Sequence, residues 1–257
     1  MANLKVEIDD HLARLTLTRP PLNALSPDFI KDLNRAVMDL DKNPDCWALL
    51  IDSSAESFFS NGLDPEALIP MSKQARMETF LGFLMFARNL YAFSKPSLSA
   101  IAGHAMAGGA VIGVLTDFRF LAEGKYSYCF SEVRVGLTIP DVLLDIIQSI
   151  TGPQHLRQIA MLSERYKPEE CLRIGLADRV LPADRLREES EKYLRSLFEL
   201  PLASIRSVKE NLRLPTIQKF DAYLRERDQK FATFLEGNFV EGLSAVMERR
   251  RPKFQNP

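Results

Sequence analysis

The segment HAMAGGAVIG, residues 104–113, places the pair Gly108–Gly109 at the start of an apolar stretch that ends at Asp117. The amides of a helix's first turn have no partner inside the helix, and with the helix dipole they favour negative charge. A second glycine, Gly62 in FFSNGLDPEAL, permits a positive φ and a close backbone approach, which turns the amide of Leu63 away from ladder bonding. Two such amides aimed at one point would form an oxyanion hole. From these residues alone, close packing of small side chains at a helix start is the alternative.

Alternating strand and helix patterns run to about residue 182 and predict an α/β fold with crossover-connected parallel strands. LKVEI and LARLTLT alternate apolar and polar residues around the turn DDH, as half-buried strands do. Ser26 is the predicted N-cap of a helix over SPDFIKDLNRAVMDLDKN, with Pro27 at its first position. Further predicted strands are CWALLID, PSLSAIAG, FRFLAEG and KYSYCF; further predicted helices are MSKQARMETFLGFLMFARNLYAF, GGAVIGVLTD, DVLLDIIQSITG and GPQHLRQIAML. The segment SSAESFFSNGLDPEAL is predicted to be a loop in which Asp64 caps the next helix.

From ADRLREESEKYLRSLFEL onward the sequence carries only helical patterns. We therefore divide the chain into a core of residues 1–196 and a C-terminal helical region of residues 197–257. A chain of this length buries a sizeable core in one domain with an appendage.

Composition excludes several classes of protein. The chain of 257 residues has a net charge of −1, with 46% hydrophobic and 26% charged residues. This balance argues against nucleic acid as a main partner and against disorder, and no apolar run reaches the about 18 residues of a membrane span. The three cysteines and the three histidines are widely spaced, which predicts neither a disulfide framework nor a zinc site and favours a reducing, cytoplasmic location.

Five segments occur in the order and spacing of the crotonase (enoyl-CoA hydratase/isomerase) superfamily: PLNAL, FSNGLD, AGHAMAGGA with TDFRFLAEG, FSEVRVGLTIP and IGLADRVLP. The resemblance covers residues 5 to 254. It implies a spiral of repeated β-β-α units followed by a helical trimerisation region, and a homotrimer or dimer of trimers. It also implies a coenzyme A thioester as substrate, with no metal or further cofactor.

The resemblance implies a role for particular residues. The thioester oxygen would be held by the backbone amides of Leu63 and Gly108. The substrate would be contacted by residues of the two glycine loops and by a lysine of the C-terminal tail that comes from a neighbouring subunit. These predicted substrate-binding residues are Ser60, Asn61, Gly62, Asp64, Gly109 and Lys253.

The resemblance also identifies the acid–base group. Hydratases of the superfamily carry two glutamates, and this sequence has Val111 at the first position and Glu132 at the second. Adding water to a 2-enoyl thioester uses two carboxylates, whereas moving a double bond needs only one that takes a proton from C2 and returns it at C4. The chain is similar to the single-glutamate Δ3,Δ2-enoyl-CoA isomerase branch in PLNALS, in the apolar residue at 111 and in the spacing from Glu132 to Pro140 and Asp145. The sequence therefore predicts an isomerase.

Alternatives stay open. The tail EGLSAVMERRRPKF is more similar to a hydratase tail, and some crotonases that act as dehydratases or decarboxylases on chains bound to an acyl carrier protein share the pattern at Val111 and Glu132. A non-catalytic acyl-CoA-binding homologue is a further alternative. Asp141 is a candidate second acid. His104 is a candidate for contacting the substrate or for tuning Glu132, although such a lone histidine is more often structural.

Overall fold

The computed structural model describes residues 3–226 and 229–256. Its strands are β1 (Leu4–Asp9), β2 (Leu12–Leu17), β3 (Ala48–Ser53), β4 (Phe58–Ser60), β5 (Ser97–Ile101), β6 (His104–Met106), β7 (Phe118–Ala122), β8 (Tyr128–Cys129) and β9 (Arg179–Leu181). Its α-helices are α1 (Pro27–Lys42), α2 (Pro65–Leu68), α3 (Lys73–Tyr91), α4 (Gly108–Leu115), α5 (Asp141–Thr151), α6 (Pro153–Leu156), α7 (Pro168–Arg173), α8 (Leu186–Ser196), α9 (Leu202–Glu226), α10 (Gln229–Ala232) and α11 (Asn238–Met247). Short 3-10 turns lie at Glu132–Val135, Leu197–Glu199 and Thr233–Leu235.

Two sheets run through the core. The larger has the order β1-β2-β3-β5-β7-β9, and the smaller has the order β4-β6-β8. Among the strands of residues 3–226 and 229–256, β1 and β2 form an antiparallel ladder around the predicted DDH turn, and the other ladders are parallel. The pairs β3–β4, β5–β6 and β7–β8 each add one strand to the larger sheet and one to the smaller, and a helix or helical turn follows, as α4 follows β5 and β6. The predicted α/β fold with repeated β-β-α units is thus confirmed.

The prediction missed three short strands. β4 and β6 have three residues each and lie in segments predicted as a loop and as the approach to a helix, and β9 also has three residues. Three residues are too few to show a two-residue period, so only their pairing with neighbouring strands defines them. The α-helix predicted over GPQHLRQIAML is shorter in the structure than in the prediction. Helix α6 ends at Leu156, and a π-helical turn follows at Arg157–Met161.

Helix α1 shows how local sequence sets an element. Phe29 N donates to the Ser26 hydroxyl at 3.4 Å, and Pro27 occupies the first helical position, as predicted. The helix buries a single face against the sheet and α3, and fully burying each such large apolar side chain contributes about 1.5–3 kcal/mol. The buried residues are Phe29, Ile30, Leu33, Val37 and Leu40.

The C-terminal helices return to the core at different places. Helix α8 covers one face of the larger sheet with Leu186 and Leu194. Helix α9 packs against α3 and α5, and α11 packs against the 3-10 turn Glu132–Val135 and against α2. No helix among the described residues is long and apolar enough to cross a membrane.

Candidate active site

The first glycine loop holds Leu63 with its amide unused. Leu25 N donates to Gly62 O at 2.7 Å, and Asp64 N donates to Leu25 O at 3.2 Å, which makes a parallel bridge between Leu25 and Leu63. The bridge uses the carbonyl of Gly62 and the N–H of Asp64, the two residues next to Leu63. The N–H of Leu63 itself therefore points away from Leu25. It donates to no acceptor among the described residues.

A buried polar network fixes this loop from behind. The Ser60 hydroxyl donates to Asn23 O at 2.8 Å and accepts from Gly62 N at 3.2 Å. The Asn23 amide nitrogen donates to Phe59 O at 3.0 Å and to the Ser53 hydroxyl at 2.7 Å. Asn23 and Ser60 are both fully buried, so their hydrogen bonds are not exchanged with solvent and hold the loop in one conformation.

Asp64 ends the loop and begins α2. Its carboxylate accepts from Glu66 N at 3.1 Å, which confirms the predicted helix cap. The same carboxylate forms a 2.6 Å ion pair with Arg19, whose guanidinium also donates to Ala24 O. The side chain of Asp64 is therefore occupied in fixing the loop to the segment that precedes α1.

The second glycine loop presents the amide of Gly108. Ala107, the N-cap of α4, has φ +46° and ψ −120°, a conformation that costs a non-glycine residue about 1–3 kcal/mol. It is held there because Ala107 N donates to Cys129 O at 2.8 Å and Val111 N donates to Ala107 O at 2.9 Å. The N–H of Gly108 follows directly and donates to no acceptor among the described residues.

The two loops touch each other through their glycines. A Cβ atom at Gly62 would lie 2.8 Å from Gly108 N, and a Cβ atom at Gly109 would collide with the carbonyl of Ser60. Gly109 thus serves the close packing that the sequence left as an alternative, while Gly108 keeps its amide free. The close packing is thus observed at Gly109, and the role of Gly108 in an oxyanion hole stays a prediction.

Leu63 and Gly108 face one cavity of about 230 Å³. Its wall is mostly apolar and comes from α2, α3, α4, α5, α11 and the segment after β8. The polar residues in its lining are Asn61, Ser131, Glu132, Arg134, Thr138 and Arg165. Among the lining residues in the described part of the chain, Glu132 is the single carboxylate.

Glu132 starts the 3-10 turn after β8 and is withdrawn from solvent. Its side chain is buried, with the residue 8% exposed, and Oε2 has no hydrogen-bond partner in the part of the chain that the structure describes. The Arg134 guanidinium is directed away, donating to Ser163 O at 2.9 Å and to Leu162 O at 3.5 Å. Burial without a compensating cation raises the pKa of Glu132 to about 7. The site therefore holds a carboxyl group that exchanges a proton near neutral pH.

The other candidate acid and base lie outside the cavity lining. The Asp141 carboxylate, 61% exposed, pairs with Lys219 at 3.0 Å. His104 Nδ1 accepts from Ser127 N at 3.0 Å, and its ring packs against Phe58 and Tyr126. The structure thus places Asp141 at the surface and gives His104 a packing role.

The predicted substrate-binding residues divide into two layers. Asn61 lines the cavity, whereas Ser60, Asp64 and Gly109 lie behind it and position the loops. Contact between these residues and a substrate stays a prediction. Gly62 is engaged through its backbone, because its N–H donates to the Ser60 hydroxyl and its carbonyl accepts from Leu25 N.

Lys253 and Val111 complete the predicted set. Lys253 is exposed on the tail, where its amide donates to Glu241 at 2.6 Å, and its contact with a substrate in a neighbouring subunit stays a prediction. Val111 is buried in the cavity wall and presents no polar group.

Sequence reasoning missed two contributions to the site. The network around Asn23 could have been suspected from PLNAL, because this asparagine places a polar side chain between two apolar residues. Helix α11 contributes Phe239, Leu243 and Val246 to the cavity wall. In the sequence α11 shows only an amphipathic pattern, more than 100 residues after Glu132. Such a pattern does not indicate which part of the fold the helix covers.

A larger cavity, about 830 Å³, lies between α9, α5 and the start of β7. Its charged groups are already paired, since Asp117 forms ion pairs with Lys209 at 2.6 Å and Arg213 at 2.7 Å, and Arg119 pairs with Asp178 at 3.2 Å. It offers no unpaired acid–base group comparable with Glu132, so its size does not make it the better candidate for chemistry.

Two free amides beside a buried carboxylate, on a spiral of paired sheets closed by C-terminal helices, define a protein of the crotonase fold. The chain belongs to the enoyl-CoA hydratase/isomerase family, whose sequence profile matches residues 7–257.

Relatives of two activities lie at similar distance. Mitochondrial enoyl-CoA delta isomerase 1 of Rattus norvegicus is 24% identical over 94% of this chain and 84% of its own length. A probable enoyl-CoA hydratase of Mycobacterium bovis is 26% identical over 97% of this chain and 96% of its own.

The crystal structure of human mitochondrial delta3-delta2-enoyl-CoA isomerase matches with a TM-score of 0.91, at 23% identity, over 96% of this chain and 98% of that one. That of an enoyl-CoA hydratase from Mycobacterium avium subsp. paratuberculosis matches with 0.86, at 24% identity, over 99% of both. These similarities establish the fold, and the choice of reaction has to be argued from the site.

Proposed function

We propose that the protein is an acyl-CoA isomerase that moves a double bond from position 3 to position 2 of an enoyl thioester. The observation that carries the proposal is that one carboxylate, Glu132, shares a cavity with two unused amides. Glu132 takes a proton from C2, and the electrons of that C–H bond pass into a dienolate. The same carboxyl group returns the proton at C4, so the reaction needs no external acid, base or redox partner.

The amides of Leu63 and Gly108 stabilise the dienolate oxygen. Preorganised donors of this kind are usually the largest contribution to catalysis, because they cost no reorganisation when the charge develops. The bridge at Leu25 and the strained Ala107 hold both amides in place before substrate arrives.

The cavity wall favours isomerisation over hydration. Water addition needs a group that orients and deprotonates water and another that protonates C2. Val111 stands where the family resemblance places the first hydratase glutamate, and Asp141 is turned to Lys219 at the surface. A carboxyl with a pKa near 7 suits the shuttle, since a general acid–base group works best when its pKa lies close to the working pH.

The assay uses the purified protein with a trans-3-enoyl-CoA and, separately, with a trans-2-enoyl-CoA, following the absorbance of the conjugated enoyl thioester. The isomerase gives a rise with the first and little change with the second. A fall with the second means hydration and contradicts the proposal, as does the absence of any change with either thioester.

A second candidate is a crotonase acting on an acyl chain bound to a carrier protein. The observation that favours it is a basic and apolar rim beside the cavity, where Arg134 and Arg165 lie near the exposed side chains of Val133, Met161 and Leu162. An acidic carrier would be attracted to such a rim. Turnover of an enoyl chain on acyl carrier protein at a much higher kcat/KM than the same chain on coenzyme A would favour this candidate.

We also propose that the chain assembles with copies of itself, as a trimer or dimer of trimers. Helix α9 leaves Val208 and Leu212 58% and 74% exposed beside the larger cavity, and clustered exposed apolar residues mark interaction surfaces. Light scattering on the eluting protein tests this, and a monomer at micromolar concentration would contradict it.

A further inference from the structure

Helix α11 lies directly on the 3-10 turn that carries Glu132. The contact is made through glycines on both sides. A Cβ atom at Gly242 of α11 would collide with the carbonyl oxygen of Val135 and lie 2.6 Å from its Cα. A Cβ atom at Gly136, which has φ +71°, would lie 2.7 Å from the carbonyl of Asn238. Backbone meets backbone here, so neither element can move without displacing the other.

Helix α11 is also anchored independently of this turn. The buried Arg76 donates to Leu235 O at 2.9 Å and to Leu68 O at 3.1 Å, which fixes the segment before α11 to α2. In the first turn of α11 the Glu241 carboxylate accepts from Arg250 at 2.9 Å and from Lys253 N at 2.6 Å, which holds the C-terminal tail against the helix. The helix is thus a firm support against which the turn can be seated.

We infer that α11 is a positioning element for Glu132 and that Gly242 is a positioning residue for the reaction. The inference rests on the proposed function for the role of Glu132, but its geometric part does not depend on which enoyl reaction is catalysed. Phe239, Leu243 and Val246 of the same helix line the cavity, so α11 sets both the location of the carboxylate and its shielding from water.

A methyl group at position 242 forces α11 and the turn apart. Water then reaches Glu132, and the carboxylate leaves its place opposite the two amides. A misplacement of about 1 Å at a catalytic group costs about 100-fold in rate. The amides of Leu63 and Gly108 are held by Leu25 and Ala107 rather than by α11, so KM should change less than kcat.

The charged surroundings of Glu132 are simple. Arg134 and Arg165 lie at the cavity rim, and the buried Cys129 thiol is the other titratable group close by. The three cavity-lining residues of α11 are uncharged. A change in the titration of Glu132 on displacing α11 therefore reports hydration rather than a lost ion pair.

The test compares Gly242→Ala with Gly82→Ala, a helical glycine of α3 whose added Cβ would meet its nearest atom at 3.9 Å. Glu132 is titrated by NMR of the carboxyl carbon in protein labelled with ¹³C-glutamate, with Glu132→Gln to assign the signal. This readout needs no substrate. Turnover and its pH profile are measured in parallel on whichever enoyl thioester the wild type converts.

We expect Gly242→Ala to lower the pKa of Glu132 from about 7 towards its ordinary value and to lower kcat by about 100-fold, while Gly82→Ala changes neither. If Gly242→Ala does not fold, Glu241→Gln, which weakens the pairing between the first turn of α11 and the tail, decides the matter by a smaller shift in the same direction. An unchanged Glu132 titration in the folded variant overturns the inference. Failure of the wild type to isomerise a 3-enoyl-CoA overturns the proposed function and leaves the titration result standing.

Discussion

The carboxylates of Asp117 and Glu132 are both largely withdrawn from solvent, but their surroundings differ. Asp117 accepts from Ser97 N at 2.8 Å and pairs with Lys209 and Arg213. These partners outweigh burial and hold the pKa of Asp117 below its ordinary value. Within the described residues, Glu132 pairs with no cation and its Oε2 accepts no hydrogen bond, and burial raises the pKa of Glu132 to about 7.

The difference separates a structural carboxylate from one suited to proton transfer. Asp117 joins β5, the start of β7 and α9, and a fixed charge serves that purpose because its partners would be left unpaired if it took up a proton. Glu132 has to take and return a proton, so a strong partner would hold it in one state. The absence of an ion-pair partner for Glu132 lowers the stability of the folded protein, but it gives the carboxyl group a pKa suited to proton transfer.

The largest expected effect is on turnover. Glu132→Gln keeps the shape of the side chain and removes the proton shuttle, so kcat should fall by about 10³-fold or more, with thioester binding nearly unchanged. Steady-state kinetics and calorimetric binding measure the two quantities. Glu123→Gln, at an exposed position, is the control, and wild-type turnover in Glu132→Gln would make the assignment of Glu132 wrong.

The next effect is on stability at Asp117. Asp117→Asn leaves Lys209 and Arg213 with uncompensated charge in a mostly buried setting, and removing one partner of such a cluster costs about 3 kcal/mol. Urea unfolding at a fixed protein concentration measures it. Asp221→Asn, which removes a more exposed pair with Arg88, should cost at most about 1 kcal/mol, and equal losses would contradict the distinction.

The two carboxylates are also expected to make the folding stability depend on pH with opposite signs. The pKa of Glu132 is about 7 when folded and 4.5 ordinarily, which corresponds to about 3 kcal/mol of folding free energy. Its contribution is fully present below pH 4.5 and lost as the pH rises through 7. The stability of Glu132→Gln relative to wild type should therefore rise by about 3 kcal/mol between pH 4.5 and 8.

Unfolding curves at several pH values test this. If the stability of Glu132→Gln relative to wild type stays constant over this pH range, the pKa of Glu132 is not raised in the folded protein. Asp117→Asn should show the reverse trend at more acid pH, because the lowered pKa of Asp117 gives the wild type a stability that is present above its ordinary pKa of 3.8 and lost as the pH falls below that value.

The smallest effect is expected at Asp141. Its carboxylate is exposed and paired with Lys219, so Asp141→Asn should leave kcat within about twofold, because exposed ion pairs are worth at most about 1 kcal/mol. A large loss of turnover would indicate that a second acid reaches the cavity and would favour hydration. The same steady-state assay decides it.

Local sequence predicted much of the fold. The cap at Ser26, the hairpin at DDH and the apolar face of α1 depend on neighbours within a few residues, and all three were confirmed. The strands β4, β6 and β9 could not be found this way, because three residues carry too little pattern and their identity comes from partners far along the chain.

For the site, the sequence by itself determined which atoms are available: backbone amides after two glycines, one glutamate at position 132 and a valine at position 111. The tertiary structure decided what those atoms face. The partners of Asp117 lie on α9 and the wall over Glu132 lies on α11, both far away along the chain. Pairing and burial are set by such long-range packing, which is why the sequence contains both carboxylates but only the folded chain distinguishes the paired one from the isolated one.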